Sequence, residues 1–247
     1  MIRLEDVNVS FRKENQKRVF RRERIQVLFH VNLHVKKGGC MGILGESGSG
    51  KSTLGRVICS LLKPDSGKVE IEKPISAVFQ DYTTSANPRF TVEQIIGESL
   101  SVRETRESVK IDKKTEVVRL LKLVGLEEEF RKRYPHELSG GQLQRVCIAR
   151  AVAVNPQIIL FDEAISSLDA HTQVQIMDLL HDIKQKFHLT YIFITHDLAA
   201  VTYFCDRVLF LYKGEVVEEC RVSQLGEVTH EYSRKLLHSI IDIERNK

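Results

Sequence analysis

Eight residues, Gly45-Glu46-Ser47-Gly48-Ser49-Gly50-Lys51-Ser52, constrain this chain more than any other stretch. They follow the pattern G-x-x-x-x-G-K-[ST]. The apolar run Cys40 to Leu44 precedes them and reads as a short strand. Leu54, Val57, Ile58 and Leu61 follow at helical spacing. Strand, glycine-rich turn and helix in that order predict a phosphate cradle. Glycine lets backbone N–H groups wrap an anion without a Cβ in the way, and the helix N-terminus adds positive potential. In such a loop Lys51 is expected to reach the β- and γ-phosphates of a triphosphate. Ser52 is expected to place its hydroxyl on Mg²⁺, and Thr53 to donate to the α-phosphate.

The remaining chain repeats the strand-helix alternation. Val27 to Val35 alternates, with Phe29, Val31, Leu33 and Val35 predicted on one buried face and Leu28, His30, Asn32 and His34 on the other. His30 and His34 share a face, but strand rise separates them by about 13 Å, too far to hold one ion. Pro64 and Gly67 end the first unit. Thr91-Val-Glu-Gln94 is a capping box opening a helix. Thr115 to Val124 is a further helix, stopped by Gly125, and Gln142 to Val154 another, stopped by Asn155-Pro156. Ile158 to Phe161 and Thr190 to Ile194 are wholly apolar strands, of the kind buried on both faces in a parallel sheet. Leu168 to Phe187 is a long helix between them. This order predicts an α/β fold with a parallel sheet, and the helices between Thr91 and Val154 read as an insertion into it.

Composition narrows the class. With 247 residues, 42% apolar and 28% charged, the chain is neither disordered nor fibrous. No apolar stretch approaches the roughly 20 residues that span a bilayer, and Met1 to Val9 lacks the shape of an export signal. Five scattered cysteines form no C-x-x-C pair, which disfavours a disulfide framework and points to a reducing compartment. The net charge is only +4, low for a dedicated nucleic-acid binder. One segment departs from this balance: Arg12 to Arg24 holds seven basic residues against two acidic ones. It reads as a solvated loop between strands, or as a contact for phosphates or a membrane surface.

Two further motifs carry chemistry. The strand ending in Asp162-Glu163 presents two carboxylates where ligands of parallel sheets bind. Asp162 is expected to hold Mg²⁺ and Glu163 to orient or deprotonate an attacking water. Leu138-Ser139-Gly140-Gly141-Gln142 precedes a helix and is a second phosphate cradle, with Ser139 as N-cap and phosphate donor. One chain with one P-loop has no second nucleotide of its own for it. That predicts a dimer in which this segment closes over the partner's ATP.

At these residues the chain resembles the ATP-binding subunits of ATP-binding-cassette (ABC) transporters, over essentially its whole length. The resemblance implies a single ABC domain over 1–247. Its fold is that of a P-loop NTPase, with a parallel central sheet, a small antiparallel β-subdomain and a helical subdomain at about 82–154. It implies that Gln80, after the strand Ala77 to Phe79, senses Mg²⁺ and contacts membrane subunits. It implies that Asp169, in Ser167-Leu168-Asp169, acts across the dimer, and that His196, in Thr195-His196-Asp197, touches the γ-phosphate. Phe11 is the candidate for stacking on adenine, with Phe20 its rival.

A narrower likeness is to importers of oligopeptides, dipeptides and nickel. It rests on Gln80 to Val92, with Asn87-Pro88, and on His230-Glu-Tyr232-Ser-Arg-Lys-Leu-Leu237. Glu231 stands where that group carries proline. Leu143 to Arg150 and Ala164, and an end soon after Leu237, look most like the nickel members. Gly67 to Gln80 is short for the group, so a trimmed β-subdomain is expected.

The implied partners are a second, related ATPase in a heterodimer and two transmembrane permease subunits, with an extracytoplasmic binding protein engaged indirectly. The implied place is peripheral, on the cytoplasmic face of the cell membrane. A peptide importer is the near alternative. A nucleic-acid-associated ABC ATPase is a more distant one; only the basic run favours it, and a steep salt dependence of duplex binding would reveal it. A small-molecule kinase leaves Leu138 to Gln142 unexplained.

Overall fold

The structure, a computed structural model, describes residues 1–12, 24–79, 85–165 and 168–245. In chain order the described elements begin with β1 (Ile2–Arg12), β2 (Arg24–Val35), β3 (Cys40–Leu44), α1 (Lys51–Ile58), β4 (Ser66–Ile71) and β5 (Ile75–Phe79). Next come α2 (Val92–Glu107), α3 (Lys113–Leu123), α4 (Gly140–Ala153), β6 (Ile158–Asp162) and α5 (Ala170–Phe187). The last are β7 (Thr190–Ile194), α6 (Leu198–Phe204), β8 (Arg207–Tyr212), β9 (Glu215–Arg221) and α7 (Glu231–Arg245). They form two compact units, Met1–Glu72 with Thr190–Lys247, and Lys73–Leu189. The fold class is α/β.

In the first unit, β3 lies between β7 and β8 and runs parallel to both, with Ile43 opposite Ile194 and Leu44 opposite Phe210. Every residue of β3 and β7 is buried, as two-sided burial requires. The expected parallel sheet carries one antiparallel strand. Tyr212 pairs with Glu215 across the turn Lys213-Gly214, and both turn residues have positive φ (48° and 86°). A two-residue turn of that hand matches strand twist and closes β8 onto β9.

Beside this sheet, β2, β1 and β4 form the small antiparallel sheet. Here the expected alternation of β2 is corrected. Val31 faces Val7 but Leu28 faces Val9, so the strand gains one residue between them. His30 takes φ 47° at that bulge, and side chains before it change faces. Leu28 is fully buried and Phe29 only half-buried. His30 Nδ1 lies 2.5 Å from Asp6 Oδ1, an exposed pair unrelated to His34. A second correction concerns Leu61. α1 ends at Ile58, Ser60 turns left-handed (φ 58°), and Leu61 is thrown out to 68% exposure.

The second unit pairs β5 with β6 in parallel, Val78 opposite Phe161. Its helices begin where side chains can cap them. Thr91 Oγ1 accepts from Gln94 N–H, and Gln94 Oε1 accepts from Thr91 N–H at 2.8 Å. Asp112 caps α3 through Thr115. The long helix starts at Ala170 rather than Leu168, because Asp169 takes the N-cap and accepts from Thr172 N–H at 3.0 Å. α2 is tied at its far end. Glu107 accepts from Arg103 Nε at 3.0 Å, Arg106 Nη2 at 2.5 Å and Asn155 Nδ2 at 3.3 Å.

The Arg103 and Arg106 guanidiniums hold the Glu107 carboxyl down at about 2. A depressed carboxylate contributes stability that is present above its unfolded value and is lost as pH falls toward the folded one. Glu107→Gln should therefore destabilise the fold by about 1 kcal/mol at neutral pH. The gap to wild type should close between about pH 4.5 and about pH 2, read by denaturant melts across that range. A gap that persists at pH 2 would assign the loss to packing.

Candidate functional site

α1 is built unlike the helices that follow it. α2 through α6 carry side-chain N-caps from Thr91, Asp112, Ser139, Asp169 and Asp197. At the start of α1 stands Gly50, left-handed at φ 105°, with no side-chain cap. The first N–H groups of a helix need an acceptor, and here no side chain supplies one. The loop before it is packed against its surroundings. A Cβ on Gly45 would collide with the Leu211 carbonyl oxygen and lie 2.6 Å from Ser49 Oγ. Gly214 N–H donates to Ser49 O at 2.9 Å, which ties the β8–β9 turn to the loop.

Lys51 is 8% exposed, and its Nζ donates to Gly45 O at 2.7 Å and Glu46 O at 2.8 Å. Ser49 Oγ is buried without a hydrogen-bond partner. A buried hydroxyl lacking a partner, an uncapped helix start and a lysine folded over the loop together fit a polyphosphate. Ser47, Gly48 and Ser52 are exposed, and Thr53 is half-buried.

β7 ends beside β3, so the residues that follow both strands share one sheet edge. Thr195 Oγ1 accepts from Asp197 N–H at 2.9 Å, and Asp197 caps α6 by accepting from Ala200 N–H at 3.0 Å. His196 is exposed between these two fixed neighbours. Phe11, near the end of β1, pairs with Ile25 and is 38% exposed. Its rival Phe20, Gln80, Ser167 and residues 13–23 of the basic run lie outside the described residues.

The second unit holds the other motifs. Asp162 ends β6 opposite Phe79, the residue before Gln80. Glu163 follows with φ 49°, an uncommon conformation for a non-glycine side chain and one often found at functional sites. Ser139 and Gln142 close a capping box, with Ser139 N–H donating to Gln142 Oε1 at 2.9 Å and Gln142 N–H to Ser139 Oγ at 3.3 Å. The hydroxyl thus accepts from its own helix and keeps its hydrogen for an outside acceptor. Gly140 opens α4. A Cβ on Gly141 would lie 2.7 Å from Thr172 Cγ2. That close approach sets the first turn of α4 against the first turn of α5, which Asp169 caps.

The sequence profile of ABC transporters matches residues 28–166. The chain is 41% identical to the metal-staphylopine import system ATP-binding protein CntF of Staphylococcus aureus, over 96% of this chain and 98% of that one. The chain belongs to the ABC transporter family. It is therefore an ATP-binding subunit whose ATP hydrolysis is coupled to transport. It is also 38% identical to the nickel import ATP-binding protein NikE of Brucella suis, over 88% of this chain and 87% of the relative. To the oligopeptide transport protein OppF of Bacillus subtilis the identity is 38%, over 92% and 81%. Among solved structures, the dimeric cassette MJ0796 in a post-hydrolysis state with ADP and Pi superposes with a TM-score of 0.77. It is 31% identical and covers 90% of this chain and 99% of its own. Among the described residues no helix is long and apolar enough to cross a membrane.

One residue of the site escaped the sequence reading. Tyr232 Oη accepts from Glu46 N–H at 2.8 Å. The signal was present, since Tyr232 sits in the His230 to Leu237 element, but nothing local linked that element to a loop 186 residues earlier.

Proposed function

We propose that this chain is the ATPase motor subunit of an ABC importer for nickel or a nickel chelate. The observation that carries the motor reading is the loop Gly45 to Thr53, with its buried partnerless Ser49 hydroxyl and uncapped helix. In this reading two ATPase subunits meet head to tail. One chain's P-loop and the other's Ser139 to Gln142 and Asp169 enclose each nucleotide. Lys51 neutralises β- and γ-phosphate oxygens, Glu163 takes the proton of the attacking water, and His196 hydrogen-bonds the γ-phosphate. Ser52, Asp162 and Gln80 hold Mg²⁺, which supplies charge neutralisation at the phosphates. Phe11, with an exposed ring, stacks on the adenine.

The second ATPase is a related chain, so the dimer is a heterodimer. Two transmembrane permeases carry the motion, and an extracytoplasmic protein delivers cargo. The assembly places this subunit on the cytoplasmic face of the cell membrane. The cargo reading is supported by the identity to a metal-staphylopine import protein along nearly the whole chain and to a nickel import protein. Oligopeptide import is the second reading, favoured by the identity to OppF.

Uptake of labelled nickel and of a labelled oligopeptide separates the two. Cells carrying wild type, a deletion or Glu163→Gln are compared. Loss of nickel uptake alone in both altered strains is the expected result. Loss of peptide uptake alone would transfer the cargo to the second reading.

A further inference from the structure

The Gly45–Glu46 peptide plane is gripped at both ends. Its carbonyl, on Gly45, accepts from Lys51 Nζ at 2.7 Å. Its N–H, on Glu46, donates to Tyr232 Oη at 2.8 Å. Lys51 is the residue that must leave this arrangement, because the nucleotide reading needs its ammonium on phosphate oxygens. Tyr232 has no such second task. We propose that Tyr232 is a positioning residue for nucleotide binding: its hydroxyl holds the first peptide of the loop in place when Lys51 turns to the phosphates. The proposal rests on the nucleotide reading of the loop and adds the C-terminal segment to that site.

Tyr232 is well placed to act as a fixed acceptor. It is 8% exposed. Its ring stacks on Tyr212 with centroids 4.1 Å apart and planes 29° from parallel. Tyr212 ends β8, the strand whose Leu211 carbonyl packs against Gly45. The chain entering α7 is also fastened. Glu218 of β9 accepts from Thr229 N–H at 2.7 Å and from His230 N–H at 3.3 Å. Tyr232 N–H in turn donates to His230 Nδ1 at 3.2 Å. Backbone, ring and hydroxyl of Tyr232 are each held, so the acceptor stays put while the lysine moves. A preorganised loop binds more tightly because less freedom is lost on binding.

The test is the ATP dependence of hydrolysis by the assembled transporter. Tyr232→Phe removes one oxygen and keeps the stacked ring. Losing one neutral hydrogen bond from the free loop should raise KM for ATP about five-fold, with kcat within about two-fold of wild type. The melting temperature should fall by only a few degrees, since one neutral hydrogen bond contributes about 1 kcal/mol. Replacing Glu46 by its α-hydroxy acid removes the donor instead, because an ester oxygen takes the place of the N–H and adds no bulk against Tyr232. It should raise KM similarly, and Tyr232→Phe should add nothing further in that background.

A KM unchanged in Tyr232→Phe overturns the proposal. So do additive effects of the two substitutions, or a much larger fall in melting temperature with kcat and KM both altered, which is the mark of packing alone. Lys51→Ala, run alongside, separates the two levels. If it abolishes ATP use while Tyr232→Phe changes nothing, the nucleotide site stands and the role of Tyr232 falls. If Lys51→Ala is also silent, both fall.

Discussion

Glu163→Gln should lower ATP turnover of the assembled transporter by about 10²- to 10³-fold, the loss expected when a general base is removed. ATP affinity should stay within about two-fold, since glutamine keeps the shape and the remaining donors and acceptors. The closed ATPase pair should then accumulate in the presence of ATP and Mg²⁺, readable as nucleotide that stays with the transporter through gel filtration. The choice of glutamine matters because of the backbone. Glu163 sits at φ 49°, directly after the buried strand Ile158–Asp162 and directly before buried Ala164. Glutamate and glutamine bear the same cost there, so the folded state should be no less stable and the melting temperature should not move. A glycine or an aspartate at this position would change backbone preference and chemistry together. Turnover near wild type would remove Glu163 from the role of base. A fall in ATP affinity matching the fall in turnover would make it a binding residue instead.

What could be read before folding was what is local. The glycine spacing from Gly45 to Gly50, the apolar strands ending at Leu44 and Asp162, and the capping pairs Thr91–Gln94 and Ser139–Gln142 each depend on residues within one turn or one strand. These placed Gly45 to Gly50 between β3 and α1, Asp162 at the end of β6 and Ser139 at the N-cap of α4, where the structure has them. Errors arose where a backbone irregularity intervened. The bulge at His30 moved Leu28 into the core, and the left-handed Ser60 carried Leu61 out of α1. Asp169 satisfied the first N–H groups of α5 and so shortened that helix.

The strands β8 and β9 were missed for another reason. Arg207 to Arg221 mixes apolar and charged residues. Its two-residue turn, Lys213-Gly214, carries no asparagine or aspartate to announce a hairpin. The link from Tyr232 to Glu46 was illegible because it is tertiary. It exists only once β3, β8 and α7 have been brought together by burial.

Lys51→Ala should cost the most. Nζ makes two short bonds, to Gly45 O and Glu46 O, in a site only 8% exposed. On nucleotide binding those bonds are exchanged for charge-assisted bonds to phosphate. Such bonds contribute roughly 1.5–3 kcal/mol each, so losing two lowers kcat/KM for ATP by about 10²- to 10⁴-fold. Two effects must be kept apart. Alanine also strips the two carbonyls of their donor, and a buried carbonyl left without one costs about 1–3 kcal/mol of stability unless water replaces the ammonium. The melting temperature of the nucleotide-free protein reads that loss, and titration with a fluorescent ATP analogue reads the other. Lys51→Arg is the informative companion. It keeps the charge, but its planar guanidinium is larger and does not fit a pocket shaped around a single ammonium. Arginine should therefore restore part of the stability and little of the affinity. If alanine lowers stability but leaves ATP affinity and turnover intact, Lys51 is a structural plug of the loop, and the nucleotide reading of the loop falls with it.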